Sequence, residues 1–275
     1  MSMNMTVKYR ENKCEYDKYF KENDYGFRTK NSSYFKKLIN YMGQMLEQVN
    51  FEVGENGIKV SSMDQGHVAL VNAHIPLEFF STYNFKNDLL GINLQLFNQI
   101  LGQLRDGDEL IVKYPHKCDK IDIIFNNIKY KKFYTMKLLD IEHDTLEITS
   151  FETPTKIIME TKYFNEIVKD FSSIGENVNI KIEKEKDYIS FTCNGNMIDL
   201  VMELNNDELI VENIKNIEYD YCLKYFDIFS KSYGINKNMT IEIENDMPLK
   251  MYFTILETGF FEYYIAPKLT DDDFN

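Results

Sequence analysis

The sequence contains no tryptophan, only five prolines and only four cysteines in 275 residues. The cysteines (Cys14, Cys118, Cys193 and Cys222) lie far apart, with no C-x-x-C pair and no histidine at finger spacing. That excludes a zinc-finger framework and fits a reduced, intracellular protein. No apolar run is long enough to span a bilayer, and the opening "MSMNMTVKYRENKCEYDKYF" has no apolar stretch of signal-peptide length. Basic charge is in short supply, with 31 Lys and Arg against 44 Asp and Glu and a formal net charge of −13. An evenly basic surface, the usual footprint of a strong nucleic-acid binder, is thereby excluded; a local basic face is not.

Catalytic signatures are missing as well. There is no P-loop, no G-x-S-x-G and no Rossmann fingerprint, and His67, His74, His116 and His143 form no H-E-x-x-H spacing. Asp64 and His67 in "SSMDQGHVALV" are the one tempting pair, but i, i+3 residues face each other only on a helix. This stretch reads as strand-turn-strand, so Asp64 is expected to fix a turn rather than move a proton. We expect no enzyme, no cofactor and no metal.

What the chain does have is 20 phenylalanines, 19 tyrosines and many short β-branched runs. "DELIVKY", "KIDIIF", "NVNIKI" and "MTIEIE" alternate apolar with polar residues, as half-exposed antiparallel strands do. Four segments switch to helical spacing: "SSYFKKLINYMGQM", "LQLFNQILGQL", "KYFNEIVKDFSSI" and "CLKYFDIFSKSY". Their aromatic positions Phe35, Phe97, Phe164 and Phe226 recur every 62 to 67 residues. Such a period predicts one β-α-β-β-β unit used four times. The expected fold class is α+β: an extension over 1–25, a domain over 26–137, a connecting linker over 138–155, a second domain over 156–270 and an acidic tail over 271–275.

Each helix should lay one apolar stripe on a sheet and leave another exposed. The exposed stripes offer Lys36 and Lys37, then Lys162 and Lys169, then Lys224 and Lys231. The second helix offers the amides Gln95, Asn98, Gln99 and Gln103, followed by Arg105. A neutral-to-basic helical face on an acidic protein suits non-specific contact with phosphates.

At these residues a family resemblance emerges. "SSMDQGHVALV", "MKLLDIE" and "YYIAPKL" followed by "TDDD" resemble, in order and distance, the sliding clamps of the proliferating cell nuclear antigen family. "LGINLQLFNQIL" and "KDFSSIGENVNI" are similar to that family's second helix and third helix-strand junction, so the likeness covers roughly residues 26–270. The resemblance implies a DNA-clamp fold in which three identical subunits form a ring, with sheets outside and twelve helices around a hole. Such a ring encircles duplex DNA and tethers DNA polymerase and other replication proteins as a processivity factor. The alternative is a clamp-like accessory protein, monomeric or in a heteromeric ring.

The resemblance also assigns residues. The family's groove for a short partner peptide maps onto Met63, His67, Val68 and Leu70, then Leu146 and Ile148 in the linker. It continues with Pro248, Tyr264, Ala266 and Pro267, with Cys222 flooring a pocket for the partner's glutamine. The subunit interface maps onto the strand with Tyr134 and Met136 and the segment with Met197, Ile198 and Leu200. A clamp loader is an implied partner, and a membrane is not. The family's modifiable loop lysine falls at Lys184 or Lys186. Four inner-face positions that are basic in the family are Gly43, Gln99, Gly102 and Glu166 here, and a family linker proline is Thr149. The place of action implied is the nucleus, or a cytoplasmic replication site if the protein is viral.

Overall fold

The computed structural model describes residue 20 and residues 24–142, 151–205 and 209–268. The four-fold repeat is laid out in the element order. The first unit is β1 (Asp24–Thr29), α1 (Ser32–Gly43), β2 (Gln48–Gly54), β3 (Gly57–Met63) and β4 (Ala69–Pro76). After a short β5 (Thr82–Asn84) come β6 (Asp88–Asn93), α2 (Leu94–Leu101), β7 (Glu109–Pro115), β8 (Lys120–Asn126) and β9 (Lys131–Lys137). The third unit is β10 (Thr155–Glu160), α3 (Thr161–Ser172), β11 (Asn177–Ile182), β12 (Tyr188–Asn194) and β13 (Asp199–Asn205). A short β14 (Ile210–Glu212) leads to β15 (Ile217–Cys222), α4 (Leu223–Ser230), β16 (Asn238–Ile243), β17 (Leu249–Ile255) and β18 (Gly259–Ile265).

Helix periodicity explains the helices. In α1 the buried residues Ser32, Phe35, Leu38, Ile39, Tyr41 and Met42 recur three and four apart, one stripe on one face. Helix α2 starts at a side-chain cap: Asn93 accepts the Leu96 N–H at 2.9 Å. The repeat-marking phenylalanines meet in pairs. Phe35 and Phe97 pack edge-on with centroids 6.2 Å apart, and Phe164 and Phe226 pack at 5.8 Å. All four are buried, and each contributes about 2–3 kcal/mol by leaving water.

All sheet pairings are antiparallel, and the repeats exchange strands. The first strand of each unit joins the sheet of the other unit in its domain: β1 pairs with β7, β6 with β2, β10 with β16 and β15 with β11. One sheet of nine strands, in the order β14-β10-β16-β17-β18-β4-β3-β2-β6, crosses from one domain to the other. The crossing is the pairing of β4 with β18, from Ala69↔Ile265 to His74↔Phe260. Beside it, the Tyr34 hydroxyl of α1 donates to the Ile235 carbonyl at 3.1 Å, tying the helical layers together.

The remaining sheets are β5-β1-β7-β8-β9 and β13-β12-β11-β15, and β9 and β13 each form one edge of their sheet. Both edges carry the same exposure rhythm along their seven residues. Period-two geometry sends alternate residues to opposite faces, and that corrects one expectation. Met136 points into the core at 5% exposure, whereas Phe133, on the opposite face, is 70% exposed.

Candidate functional site

The stretch 61–71 forms the end of β3, a tight turn and the start of β4. The Asp64 carboxylate holds the turn together. Its Oδ1 accepts the N–H groups of Val68 and Ala69 at 2.9 and 2.8 Å, and its Oδ2 accepts the Gly66 N–H at 3.3 Å. The Tyr225 hydroxyl of α4 donates to the same Oδ2 at 2.7 Å. Burial alone would raise the Asp64 pKa, but the Ala69 amide, the Tyr225 hydroxyl and the Val68 and Gly66 amides together hold it below the usual aspartate value. The carboxylate thus binds backbone, and the turn places His67 at a positive φ of 52° with its side chain exposed. Among the described residues no cluster of His, Cys, Asp or Glu is arranged to hold a metal.

This turn forms one bank of a shallow apolar groove of about 200 Å³, lined by Met63, His67, Val68, Ala69, Leu70, Phe151, Met247, Pro248, Tyr264 and Ala266. Strand register builds its floor. Met63 faces Leu70 across β3 and β4, and Leu70 faces Tyr264 across β4 and β18. Seven residues assigned to the groove by resemblance are therefore together. Leu146, Ile148 and Thr149 lie outside the described residues. Cys222 and Pro267 do not line the groove: Cys222 caps the start of α4, and Pro267 follows the Ala266 N–H bond to the Val68 carbonyl.

Sequence reasoning missed three lining residues, Ala69, Phe151 and Met247. Phe151 lies parallel to the Tyr264 ring at 6.4 Å, and Met247 precedes Pro248 in the β16–β17 turn. It also missed what lies beyond Tyr264. The same cross-strand row runs on through Lys250, Glu242 and Lys156, turning from apolar to charged. Lys250 reaches Glu262 at 3.0 Å and Glu242 at 3.3 Å, and Lys156 reaches Glu242 at 3.3 Å. Asn72 and the Tyr264 hydroxyl donate to Glu262 at 2.8 and 3.0 Å. Burial opposes the Lys250 charge, but the two glutamates outweigh it and raise its pKa above the usual lysine value. Burial, then the Glu262 charge, pushes the Tyr264 hydroxyl upward, so it stays a neutral donor. Tyr264 thus offers its ring to the groove while its polar end is committed elsewhere.

On the helical face, Lys37, Lys162, Lys169, Lys224 and Lys231 are exposed. Lys36 donates to the Gly102 carbonyl at 3.4 Å, and Lys231 pairs with Asp227 at 2.6 Å. Glu166 and Asp170 stand exposed on α3 among its lysines. One expectation is revised: Asn98 is half-buried, donating to the Ile39 carbonyl. Arg105 is exposed in the loop after α2, over the Tyr130 ring at 5.7 Å. Tyr163 and Tyr233 are exposed among these cations. At the edges, Tyr134 and Leu200 are half-buried against the core, while Met197 and Ile198 are exposed in the turn before β13. Lys184 and Lys186 are exposed in the β11–β12 turn, where Lys186 lies over the Tyr188 ring.

Two joined domains of doubled β-α-β-β-β units, with antiparallel sheets and four helices, constitute the clamp fold. Residues 25–147 match the description "Proliferating cell nuclear antigen, N-terminal domain" and residues 147–268 match "Proliferating cell nuclear antigen, C-terminal domain". The chain belongs to the proliferating cell nuclear antigen family. A Chaetomium thermophilum protein called "Proliferating cell nuclear antigen" is 28% identical over 257 residues, 90% of this chain and 98% of its own length. A Methanococcus vannielii "DNA polymerase sliding clamp" is 28% identical over 245 residues, 88% of this chain and 98% of its own. The crystal structure of the Entamoeba histolytica antigen superposes with a TM-score of 0.82 at 28% identity, covering 89% of this chain and 99% of that one.

Proposed function

We propose that the protein is a DNA sliding clamp and polymerase processivity factor that works as a closed ring of three identical chains. The observation that supports the ring is the unlikeness of two of its edge strands, β9 and β13. Edge β9 bears Lys131, Lys132 and Lys137, whereas β13 bears Asp199 and Glu203. Basic edge on acidic edge attracts, while like edges repel, which favours head-to-tail contacts over a two-fold dimer. Unpaired edge strands otherwise invite uncontrolled association, and closure uses them up.

The helices then face the hole, and their exposed lysines Lys37, Lys162, Lys169 and Lys224 touch phosphates without reading sequence. Weak contacts of this kind allow sliding. The groove at Met63, Leu70, Pro248 and Tyr264 docks a helical turn of a partner carrying paired aromatic and aliphatic side chains, as other apolar grooves do. The polymerase and a clamp loader are the expected partners.

Light scattering tests the ring: the expected species has three times the 32.6 kDa chain mass. A stable species at the chain mass, at micromolar concentration, would favour a monomeric or heteromeric accessory protein instead. Loaded protein should run off linear DNA and persist on DNA blocked at both ends; equal loss from both would exclude encirclement.

A further inference from the structure

Phe20 precedes the region that matches the family, which begins at residue 25, yet it is 6% exposed. It is buried in a cluster of its own with Ile111 and Ile124, separate from the main core. Alternation explains the separation. Leu110 and Val112 on β7, and Ile123 and Phe125 on β8, belong to the main core, so Ile111 and Ile124 point out of the opposite face. These two face each other across the strands, and Ile124 in turn faces Phe133 on the edge strand β9. An outward apolar row therefore crosses three strands, its inner part beneath Phe20 and its outer end open at Phe133. Ion pairs flank it, Arg28 with Glu109 at 2.7 Å and Lys113 with Asp24 at 3.3 Å.

Outward isoleucines on a solvated sheet face need no explanation singly. Burial of both to 4% or less, in a cluster completed by an aromatic ring from outside the repeated fold, does need one. We propose that Ile111 and Ile124 form a docking site for an aromatic side chain, and that its occupant is Phe20 of the same chain. Phe20 thereby fastens the amino-terminal extension to the sheet face away from the helices. If the chain forms the ring proposed above, the anchor lies outside the hole, beside the seam at β9.

The absence of tryptophan supplies the test, because any introduced indole is the only one in the chain. In full-length Phe20→Trp, emission should be blue-shifted and iodide quenching several-fold weaker than in Phe133→Trp, the reference on the open end of the row. Adding Ile124→Ser to Phe20→Trp should move emission back toward the red. Indole emission and quenching equal to those of Phe133→Trp would overturn the proposal, as would indifference to Ile124→Ser. The emission should survive dilution to the chain mass; a red shift on dissociation would assign the occupant to a neighbouring copy and overturn the assignment to the same chain. Because these readouts need no ring, their failure is distinguishable from failure of the clamp reading.

Discussion

The Asp64 carboxylate and the Tyr225 hydroxyl meet at 2.7 Å although 161 positions separate them. One is in the turn between β3 and β4, the other on α4, so this side-chain bond adds to the backbone pairing that joins the groove's bank to the second domain. Tyr225→Phe deletes that bond and should cost about 1.5–3 kcal/mol, the range for a hydrogen bond to a charged group. Urea denaturation gives the number; a loss near zero would mean the bond is satisfied as well by water.

The same carboxylate predicts a pH dependence. Its folded-state pKa lies below the unfolded value, so its stabilisation is complete above the unfolded pKa of about 3.9 and is lost as pH falls through the folded one. Wild type should therefore lose more stability between pH 5 and pH 2 than Asp64→Asn does. Parallel urea titrations check this, and identical pH slopes would contradict it.

Leu70 is the central apolar residue of the groove's floor, between Met63 and Tyr264. Leu70→Ala should weaken a peptide bearing paired aromatics by about 1–3 kcal/mol, as loss of a buried anchor does. Tyr264→Phe keeps the ring and should weaken the peptide far less than Tyr264→Ala. Calorimetry separates them, and equal losses would show that the hydroxyl, not the ring, meets the partner.

Lys250 holds two glutamates that are mostly out of water. Lys250→Met leaves them without their shared cation and should destabilise the protein by about 3 kcal/mol, while replacing the lysine and both glutamates with apolar residues should restore most of that. Thermal unfolding of the single and triple variants decides it; a neutral single variant would mean that water replaces the lysine.

Charge reversal tests the edges. Lys131→Glu with Lys137→Glu should shift the assembly toward the chain mass in light scattering, and adding Asp199→Lys with Glu203→Lys should bring it back. If the helices face DNA as proposed, Lys162→Ala and Lys169→Ala should each reduce the salt slope of DNA binding by about one. An unchanged slope would remove that lysine from the DNA surface.

Much of the fold was legible because period and spacing are local properties. Phe35, Phe97, Phe164 and Phe226 announced four units, and each proved to be the buried centre of its helix. The exchange of first strands between units was not legible, since alternation says which residues face a core and not which strand lies alongside. The same limit explains Met136: its strand was recognisable as an edge, but the face it presents depends on the register with Ile121 of β8. At the groove, the resemblance brought together residues from three distant segments that no spacing rule could join. It missed Phe151, Met247 and the row beyond Tyr264, because Lys250, Glu242 and Lys156 are ordinary surface residue types until register aligns them.

The pairing of β4 with β18 makes the two domains one continuous plank of backbone hydrogen bonds, six residues wide at the joint. In the ring proposed above, a load that pries copies apart would meet that plank inside the chain and only a single strand edge between chains. Opening should therefore behave as a latch releasing at β9 and β13, with each chain turning as a stiff lever. A partner seated on Leu70 and Tyr264, one from each side of the joint, would brace the lever at its middle.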